Sequence, residues 1–187
     1  MDTSTRALEL VRSLRERERF NRIDYYDPYP YQRKFHKTGS EANQRLLMAA
    51  NRIGKSFSGA SEMSYHLTGL YPDWWEGRKF TQPITAWAGG VSNETTRDIV
   101  QYELLGSPDD PAAFGSGTVP RSKIIKTERK PGVPNAKSVA LIQHVTGGNS
   151  SLFFKAYEMG VDKWQGRSVD CIWLDEEPDR SLYSQAV

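Results

Sequence analysis

Residues 46–58 read LLMAANRIGKSFS, and this stretch decides the fold that the sequence predicts. Its centre, AANRIGKS at 49–56, matches the phosphate-loop pattern G-x-x-x-x-G-K-[ST] at every position except the first, where Ala49 replaces glycine. The apolar run at 45–50 predicts a buried strand before the loop. Apolar and small side chains recur at helical spacing from Phe57 to Leu67 and predict a helix that ends near Gly69. A phosphate loop requires this strand, turn and helix.

Each position of the motif has a chemical reason. The amides of such a turn converge on a phosphate at the positive end of the following helix. Gly54 lets the backbone approach, Lys55 reaches the β- and γ-phosphates, and the Ser56 hydroxyl ligates Mg²⁺. Ala49 would be costly only if its φ had to be positive, so we interpret it as tolerated. The nucleotide-binding candidates in the loop are Asn51, Arg52, Ile53, Gly54, Lys55 and Ser56.

Arg52 has two interpretations. A cation beside Lys55 can stabilise charge on a transferring phosphoryl group. Alternatively, Arg52 is a surface arginine that points away from the loop.

A second motif, VDCIWLDEEP at 169–178, is an apolar strand that ends in three acids. Acids at the carboxyl edge of a parallel sheet face the nucleotide crevice of α/β proteins. We expect Asp175 to hold Mg²⁺ and Glu176 to orient or deprotonate the attacking water. Glu177 is more simply solvated or structural, and Cys171 is a core residue. Pro178 ends the strand.

A third motif is PYPYQRKFH at 28–36. The amide of Gln32 offers a donor and an acceptor, which suits the N6/N7 edge of adenine, and neighbouring tyrosines could stack on the base. The alternative is that Gln32 belongs to a capped, partly buried helix start.

The remaining pattern alternates strands with helices, which predicts an α/β fold. We expect a helix at 95–105, with Asn93 as a cap and Gly106 as its stop, and a hairpin turn at Gly147-Gly148. The further strands are predicted at 83–88, 122–127, 138–145, 151–157 and 169–174.

Two segments have open interpretations. Residues 5–20 place Ala7, Leu8, Val11 and Leu14 on one stripe of an amphipathic helix, which either packs on the domain or docks a partner. The strip at 121–137 carries six basic residues against Glu128, and either meets phosphate backbones or is a solvated loop.

The composition narrows the class of protein. The chain has 187 residues, which is long enough for one domain with a hydrophobic core. Its net charge is +2. Its single cysteine excludes an internal disulfide, and three scattered histidines make no zinc pattern. No apolar run approaches a membrane span and the N-terminus lacks a signal core, so we expect a cytosolic protein.

Taken together, these motifs resemble the ATPase domain of tailed-phage terminase large subunits, the motors that package double-stranded DNA. The residues that carry the resemblance run the length of the chain: PYPYQRKFH, MAANRIGKS, YPDWWEGRKF, FGSGTVP and KWQGRSVDCIWLDEEP. The resemblance implies a P-loop NTPase fold of the ASCE/RecA-like class, with a mostly parallel sheet flanked by helices.

The resemblance also implies residue roles and partners. Gln32 would meet adenine; Lys55, Ser56 and Asp175 would bind Mg-ATP; and Glu176 would be the catalytic carboxylate. Such motors use one arginine from the loop, matched by Arg52, and one from a neighbour. Our candidates for the second are Arg167, then Arg121 and Arg129. The implied partners are double-stranded DNA, a small subunit, a portal protein and further copies in a ring. The implied location is the bacterial host cytoplasm, with transient docking on the procapsid.

The family also has a coupling motif after the acidic strand and then a nuclease domain, and neither is found before Val187. We therefore expect residues 1–22 to form an N-terminal helix and residues 23–187 to form a partial ATPase domain of a longer polypeptide. A helicase-like P-loop ATPase and an inactive fragment that only binds a partner are the alternatives.

Overall fold

The computed structural model describes residues 3–166 and 168–186. Within these ranges the chain forms six α-helices and one sheet, and the helices are α1 (Thr3–Phe20), α2 (Pro30–Thr38), α3 (Lys55–Thr68), α4 (Asn93–Thr95), α5 (Tyr102–Leu105) and α6 (Arg180–Ala186). A π-helical turn, Thr96–Gln101, joins α4 to α5, so residues 93–105 form one helical unit. The five strands are β1 (Thr85–Gly90), β2 (Ile124–Arg129), β3 (Lys137–Gln143), β4 (Asn149–Ala156) and β5 (Cys171–Leu174).

The sheet is mixed, with the strand order β2-β3-β4-β1-β5. β1 runs parallel to both β4 and β5, whereas β2, β3 and β4 form an antiparallel meander. The prediction of an α/β protein is confirmed, but the expected mostly parallel sheet is corrected to a mixed one. The predicted turn at Gly147-Gly148 explains the difference, because strands joined by a tight turn can pair only antiparallel.

The main core lies between the sheet and two helical units. Ala60, Met63 and Leu67 of α3 pack on strand residues such as Ala86 and Leu152, which are all fully or almost fully buried. The opposite face of the sheet is covered by Trp164 and by Leu182 and Ala186 of α6, which pack around Trp87. This arrangement holds the carboxyl ends of β1, β4 and β5 at one edge of the sheet.

Helix α3 begins and ends at glycines in left-handed conformations. Gly54 is its N-terminal cap residue with φ of 80°, and Gly69 is its C-terminal cap residue with φ of 73°. Only glycine adopts such angles without strain, which explains why the periodic pattern stops there. The predicted end of this helix near Gly69 is confirmed.

The predicted strand at 45–50 is wrong. These residues form no regular secondary structure and alternate between exposed and partly buried side chains, with Leu46 76% and Met48 80% exposed. Within the described part of the chain β5 has β1 as its ladder partner, and no strand lies beside 45–50. An extended segment becomes a strand only when a neighbour pairs with its N–H and C=O groups.

Two smaller predictions are also corrected. The strand predicted at 169–174 is shorter, Cys171–Leu174, and its side chains are only partly buried. The cap of the helix after β1 is Ser92 rather than Asn93, because the Ser92 hydroxyl accepts a hydrogen bond from the Thr95 amide. Ser92 and Asn93 are both good caps by composition, and the backbone decides between them.

Candidate nucleotide-binding site

The segment at 49–56 forms a tight turn that leads directly into α3. Arg52 has φ of 63° and Gly54 has φ of 80°, so the chain reverses through two left-handed residues. Among the described residues, the non-glycine ones with positive φ are Arg52, Asn135 and Glu176. Ala49 therefore does not need the conformational freedom of the missing glycine.

The Lys55 side chain folds back onto the start of the turn. Its Nζ donates to the carbonyl oxygens of Ala49, at 2.6 Å, and Ala50, at 2.9 Å. The ammonium is thereby tied to the residues that enter the turn, at the positive N-terminal end of α3. A turn with this charge and these amides is suited to an anionic group such as phosphate.

Ser56 and Asp175 meet across the site. The Ser56 hydroxyl donates to Oδ1 of Asp175 at 3.0 Å, although the two residues are 119 positions apart. Burial raises the pKa of the Asp175 carboxyl, and the charge of Glu176 raises it further, whereas the bond from Ser56 and the charge of Lys55 lower it. A hydroxyl and a carboxylate are the hard oxygen ligands that Mg²⁺ prefers, so the pair fits a magnesium site.

A close helix–strand contact makes this meeting possible. A Cβ on Gly59 of α3 would lie only 2.7 Å from Nε1 of Trp173 in β5. The absence of a side chain at Gly59 lets α3 approach β5. Ser56 lies one helical turn before Gly59, and Asp175 lies two residues after Trp173.

The acidic turn after β5 has an unusual backbone. Glu176 is exposed and has φ of 68°, and the carbonyl oxygens of Asp175 and Glu176 both lie 3.0 Å from the hydroxyl of Tyr157. Burial raises the pKa of Tyr157 well above its usual value, with smaller contributions from Asp175 and Glu176. Glu177 is exposed as well.

Gln32 is almost completely buried, with 2% exposure. Its Oε1 accepts from the Tyr29 amide at 2.8 Å, and its Nε2 donates to the Gly54 carbonyl at 3.2 Å. Gln32 therefore belongs to a capped, buried helix start, and its bond to Gly54 also ties α2 to the turn at 49–56. The amide retains one lone pair and one N–H for a ligand.

A cavity of about 640 Å³ lies beside this contact. Tyr29 and Tyr31 stack there with their ring centroids 5.9 Å apart, and the Tyr31 hydroxyl donates to the Ile53 carbonyl at 2.5 Å. Aromatic walls with a buried amide suit a flat heterocyclic base. The lining residues are Tyr25, Tyr26, Asp27, Tyr29, Tyr31, Gln32, Arg52, Ile53, Gly54 and Phe57.

The structure brings most predicted site residues together, but among the candidate arginines only Arg52 is found beside the turn at 49–56 within the described residues. Arg52 lines the cavity beside the turn, and Asn51 next to it is exposed. Arg167 lies outside the described residues. Its rival Arg121 has its guanidinium 4.8 Å from the Phe20 ring, at the end of α1, and Arg129 is exposed at the end of β2.

Sequence reasoning missed a buried polar cluster behind the site, centred on Glu62 of α3. Its carboxylate contacts Nδ1 of His36 at 2.6 Å, Nε2 of His66 at 3.3 Å and a guanidinium nitrogen of Arg45 at 2.5 Å. Burial alone would raise the pKa of Glu62, but hydrogen bonds from His36, His66 and Arg45 outweigh it and hold that pKa well below its usual value. The cluster ties α2 and the segment before the turn to α3.

The signal for this cluster in the sequence was weak. Glu62 lies on the side of α3 away from the apolar stripe of Ala60, Met63 and Leu67, so helical spacing alone predicts an exposed acid there, and it does not identify a partner. His36 continues the network, because its Nε2 lies 3.0 Å from the Tyr26 hydroxyl and 3.2 Å from the Ser58 hydroxyl.

The structure decides part of the interpretation of residues 5–20 and of the basic strip at 121–137. The stripe on α1 faces solvent, with Leu8 62%, Val11 46% and Leu14 50% exposed, so these side chains do not pack on the described part of the domain. The basic strip is divided: Lys126 is exposed and pairs with Glu128 at 3.2 Å, whereas the amine of Lys130 is half-buried and contacts Met159. No helix within the described ranges is long and apolar enough to cross a bilayer.

The fold and the site define an α/β protein whose polar residues converge at the carboxyl edge of a mixed sheet. A family model described as terminase large subunit, T4likevirus-type, N-terminal, matches residues 46–187. The chain is 34% identical to the terminase large subunit of Salmonella phage P22, over an alignment that covers 96% of this chain and 40% of that relative. The chain therefore belongs to the terminase large subunit family, and it spans about two-fifths of the length of the curated relative. No solved structure matches.

Proposed function

We propose that this chain is the ATP-hydrolysing motor part of a terminase large subunit and drives double-stranded DNA into a procapsid. Membership of the family supports the packaging role and favours it over a helicase-like one. The observation that carries the ATPase assignment is the contact of Ser56 with Asp175 at 3.0 Å, because it joins the phosphate-loop motif to the acidic strand end.

The proposed fold class is a P-loop NTPase of the ASCE/RecA-like type. The parallel strands β4, β1 and β5 support it, because their carboxyl ends meet at the edge where α3 begins. The carboxyl edge of such strands is where ligands of open α/β sheets bind.

Each residue has a distinct proposed role. The amides of residues 51–56 and the Lys55 ammonium bind the phosphates of ATP, while Gln32 and the aromatic cavity receive adenine. Arg52 adds positive charge where the γ-phosphoryl group transfers. Glu176 orients the attacking water and accepts its proton.

The cofactor of this reaction is Mg²⁺, which neutralises charge on the β- and γ-phosphates when it is bound. Ser56 and Asp175 would hold it, since their oxygens already converge. Asp175 is the more buried of the two acids and Glu176 the more exposed, which suits a fixed ligand and a group in contact with water.

The partners are proposed at the level of the family. Double-stranded DNA is the substrate that is moved, a small subunit and a portal protein are binding partners, and further copies form a ring in which Arg167 acts on a neighbour. The location is the host cytoplasm, with docking on the procapsid during packaging.

Two substitutions test the ATPase. Lys55→Ala and Glu176→Gln should each reduce ATP hydrolysis by the intact protein by at least about a hundredfold, because each removes a group that acts on the transition state. Glu176→Gln should still bind ATP, whereas Lys55→Ala should bind it weakly. Steady-state turnover and binding of a fluorescent ATP analogue measure these effects.

Matched controls lie close to both sites. Glu177→Gln changes an exposed neighbouring acid, and Lys34→Ala removes an exposed lysine from α2, so both should retain the wild-type rate. Unchanged turnover in Lys55→Ala or Glu176→Gln would contradict the assignment of ATP hydrolysis to this site.

A further inference from the structure

Tyr157 follows the last residue of β4, and its side chain reaches the acidic turn after β5. The hydroxyl lies 3.0 Å from the carbonyl oxygen of Asp175 and 3.0 Å from that of Glu176. Since a carbonyl oxygen only accepts, the hydroxyl donates its single hydrogen, and these two oxygens are nearer acceptors than the Gly89 carbonyl oxygen at 3.5 Å. The strand order β4-β1-β5 requires the side chain to cross the end of β1 to make this contact.

Gly89, next to the last residue of β1, leaves room for the Trp164 ring, which stands beside Tyr157. A Cβ there would lie 2.7 Å from the Lys155 carbonyl oxygen and 2.7 Å from the ring of Trp164. Trp164 is 1% exposed, and its ring centroid lies 5.8 Å from that of Tyr157. The Tyr157 ring therefore stands against a fixed, buried neighbour, and its hydroxyl has a defined position.

The two carbonyls that the hydroxyl contacts belong to the peptide groups on either side of Glu176. The rotations φ and ψ of Glu176 are set by the orientations of these two peptide planes. Glu176 has φ of 68°, a conformation that a glutamate rarely adopts and that persists only where its surroundings impose it. A single donor that engages both planes is suited to impose it.

We propose that Tyr157 is a positioning residue for Glu176, whose hydroxyl fixes the backbone of the acidic turn and so holds the Glu176 carboxylate in its working direction. The role rests on the proposed function of Glu176 in ATP hydrolysis. Tyr157 does not touch the substrate, and its effect passes through the peptide planes at 175 and 176.

The test is Tyr157→Phe in the intact protein, which removes the hydroxyl and keeps the packed ring. We expect kcat for ATP hydrolysis to fall about tenfold, since a misplaced catalytic group loses rate steeply. KM and the affinity for a non-hydrolysable Mg-ATP analogue should stay within about twofold, because Lys55 and the turn at 49–56 are unchanged. Tyr102→Phe, on a ring that is 44% exposed, is the matched control and should match wild type.

Hydrogen–deuterium exchange of a peptide spanning residues 171–182 gives a readout that needs no catalysis. The amides of the acidic turn should exchange faster in Tyr157→Phe and not in Tyr102→Phe. Unchanged exchange, or a wild-type kcat in an active protein, would overturn the positioning role. A parallel loss of kcat and nucleotide affinity with a lower unfolding temperature would also overturn it, in favour of a purely structural tyrosine. An inactive wild-type protein would refute the proposed function alone and leave the exchange test decisive for Tyr157.

Discussion

Glu62 lies 6% exposed on α3, and its carboxylate contacts His36, His66 and Arg45. An isolated buried carboxylate is costly, and this one persists because cationic and hydrogen-bonding groups surround it. The cluster bridges α2, which carries Gln32, the segment that enters the turn at 49–56, and α3, which follows that turn. A residue with no contact to the proposed ligand therefore holds three parts of the site together.

The low pKa of Glu62 makes the stability of the domain depend on pH. A carboxyl whose folded-state pKa is depressed stabilises the fold above its unfolded pKa, about 4.3, and this contribution is lost as the pH falls below that value. Glu62→Gln should lower the free energy of unfolding at pH 7 by about 3 kcal/mol and flatten the acid limb of the stability curve. Urea unfolding from pH 7 to pH 3 measures both effects.

Glu76 provides the control, because it pairs with Lys37 on the surface and its side chain is 63% exposed. Glu76→Gln should cost less than about 1 kcal/mol at any pH. If Glu62→Gln were equally mild, the buried cluster would not be a stabilising element.

At the scale of elements, the approach of α3 to β5 decides whether the site forms. Gly59→Ala would place a Cβ 2.7 Å from Nε1 of Trp173 and should push the helix away from the strand. We expect a loss of about 1–3 kcal/mol in stability, as in overpacked cores, and weaker ATP hydrolysis because Ser56 and Asp175 separate. Thermal unfolding and steady-state turnover check the two effects.

A rescue variant distinguishes this packing effect from an effect on the helix itself. Trp173→Phe removes the indole nitrogen that the new methyl group meets, so the double variant should recover part of the stability. Helix propensity alone predicts the opposite sign for Gly59→Ala, a gain of about 1 kcal/mol.

Helix α1 differs from α3 because its apolar stripe is exposed. Its apolar stripe is at least 46% exposed at Leu8, Val11 and Leu14, so little hydrophobic stabilisation depends on it within the described residues. Val11→Ser with Leu14→Ser should change the free energy of unfolding by less than about 1 kcal/mol. Leu67→Ala, at a fully buried site on α3, should cost about 2–5 kcal/mol in the same urea titration. A large loss in the α1 variant would show that the stripe packs on the domain after all.

At the scale of the whole molecule, the net charge of +2 hides an uneven distribution. β2 is the outer strand of the sheet and presents the exposed Lys126 and Arg129, whereas Lys130 in the same strip is half-buried. Exposed charges on an edge strand also oppose edge-to-edge association, so these residues have a structural use besides any binding of DNA.

If the basic strip at 121–137 binds DNA, replacing Lys123 and Lys126 with alanine should weaken the salt dependence of binding. The logarithm of the association constant for DNA should then fall less steeply with the logarithm of the salt concentration. The slope should change by about 0.9 for each DNA phosphate that the protein no longer neutralises. Fluorescence anisotropy with a labelled duplex at several salt concentrations measures the slope. Lys34→Ala with Lys37→Ala, on α2, should leave it unchanged. An identical slope in both double variants would assign the strip to a subunit interface or to solvent.

The sequence by itself determined the local parts of this protein. Helix α3 with its glycine ends, the hairpin at Gly147-Gly148 and the order of the three motifs follow from periodicity, turn chemistry and spacing, which act between residues close in the chain. The loop at 49–56 and the acids at 175–176 were recognisable for the same reason.

Only the tertiary structure decided how these parts meet. The contacts of Ser56 with Asp175, of Gln32 with Gly54, of His36 with Glu62 and of Tyr157 with Asp175 all join residues that are 18 or more positions apart. Residues 45–50 carry a strand pattern yet form no strand, because pairing depends on a neighbour that their own sequence does not encode. Strand order and register, which bring these residues together, are properties of the packed sheet.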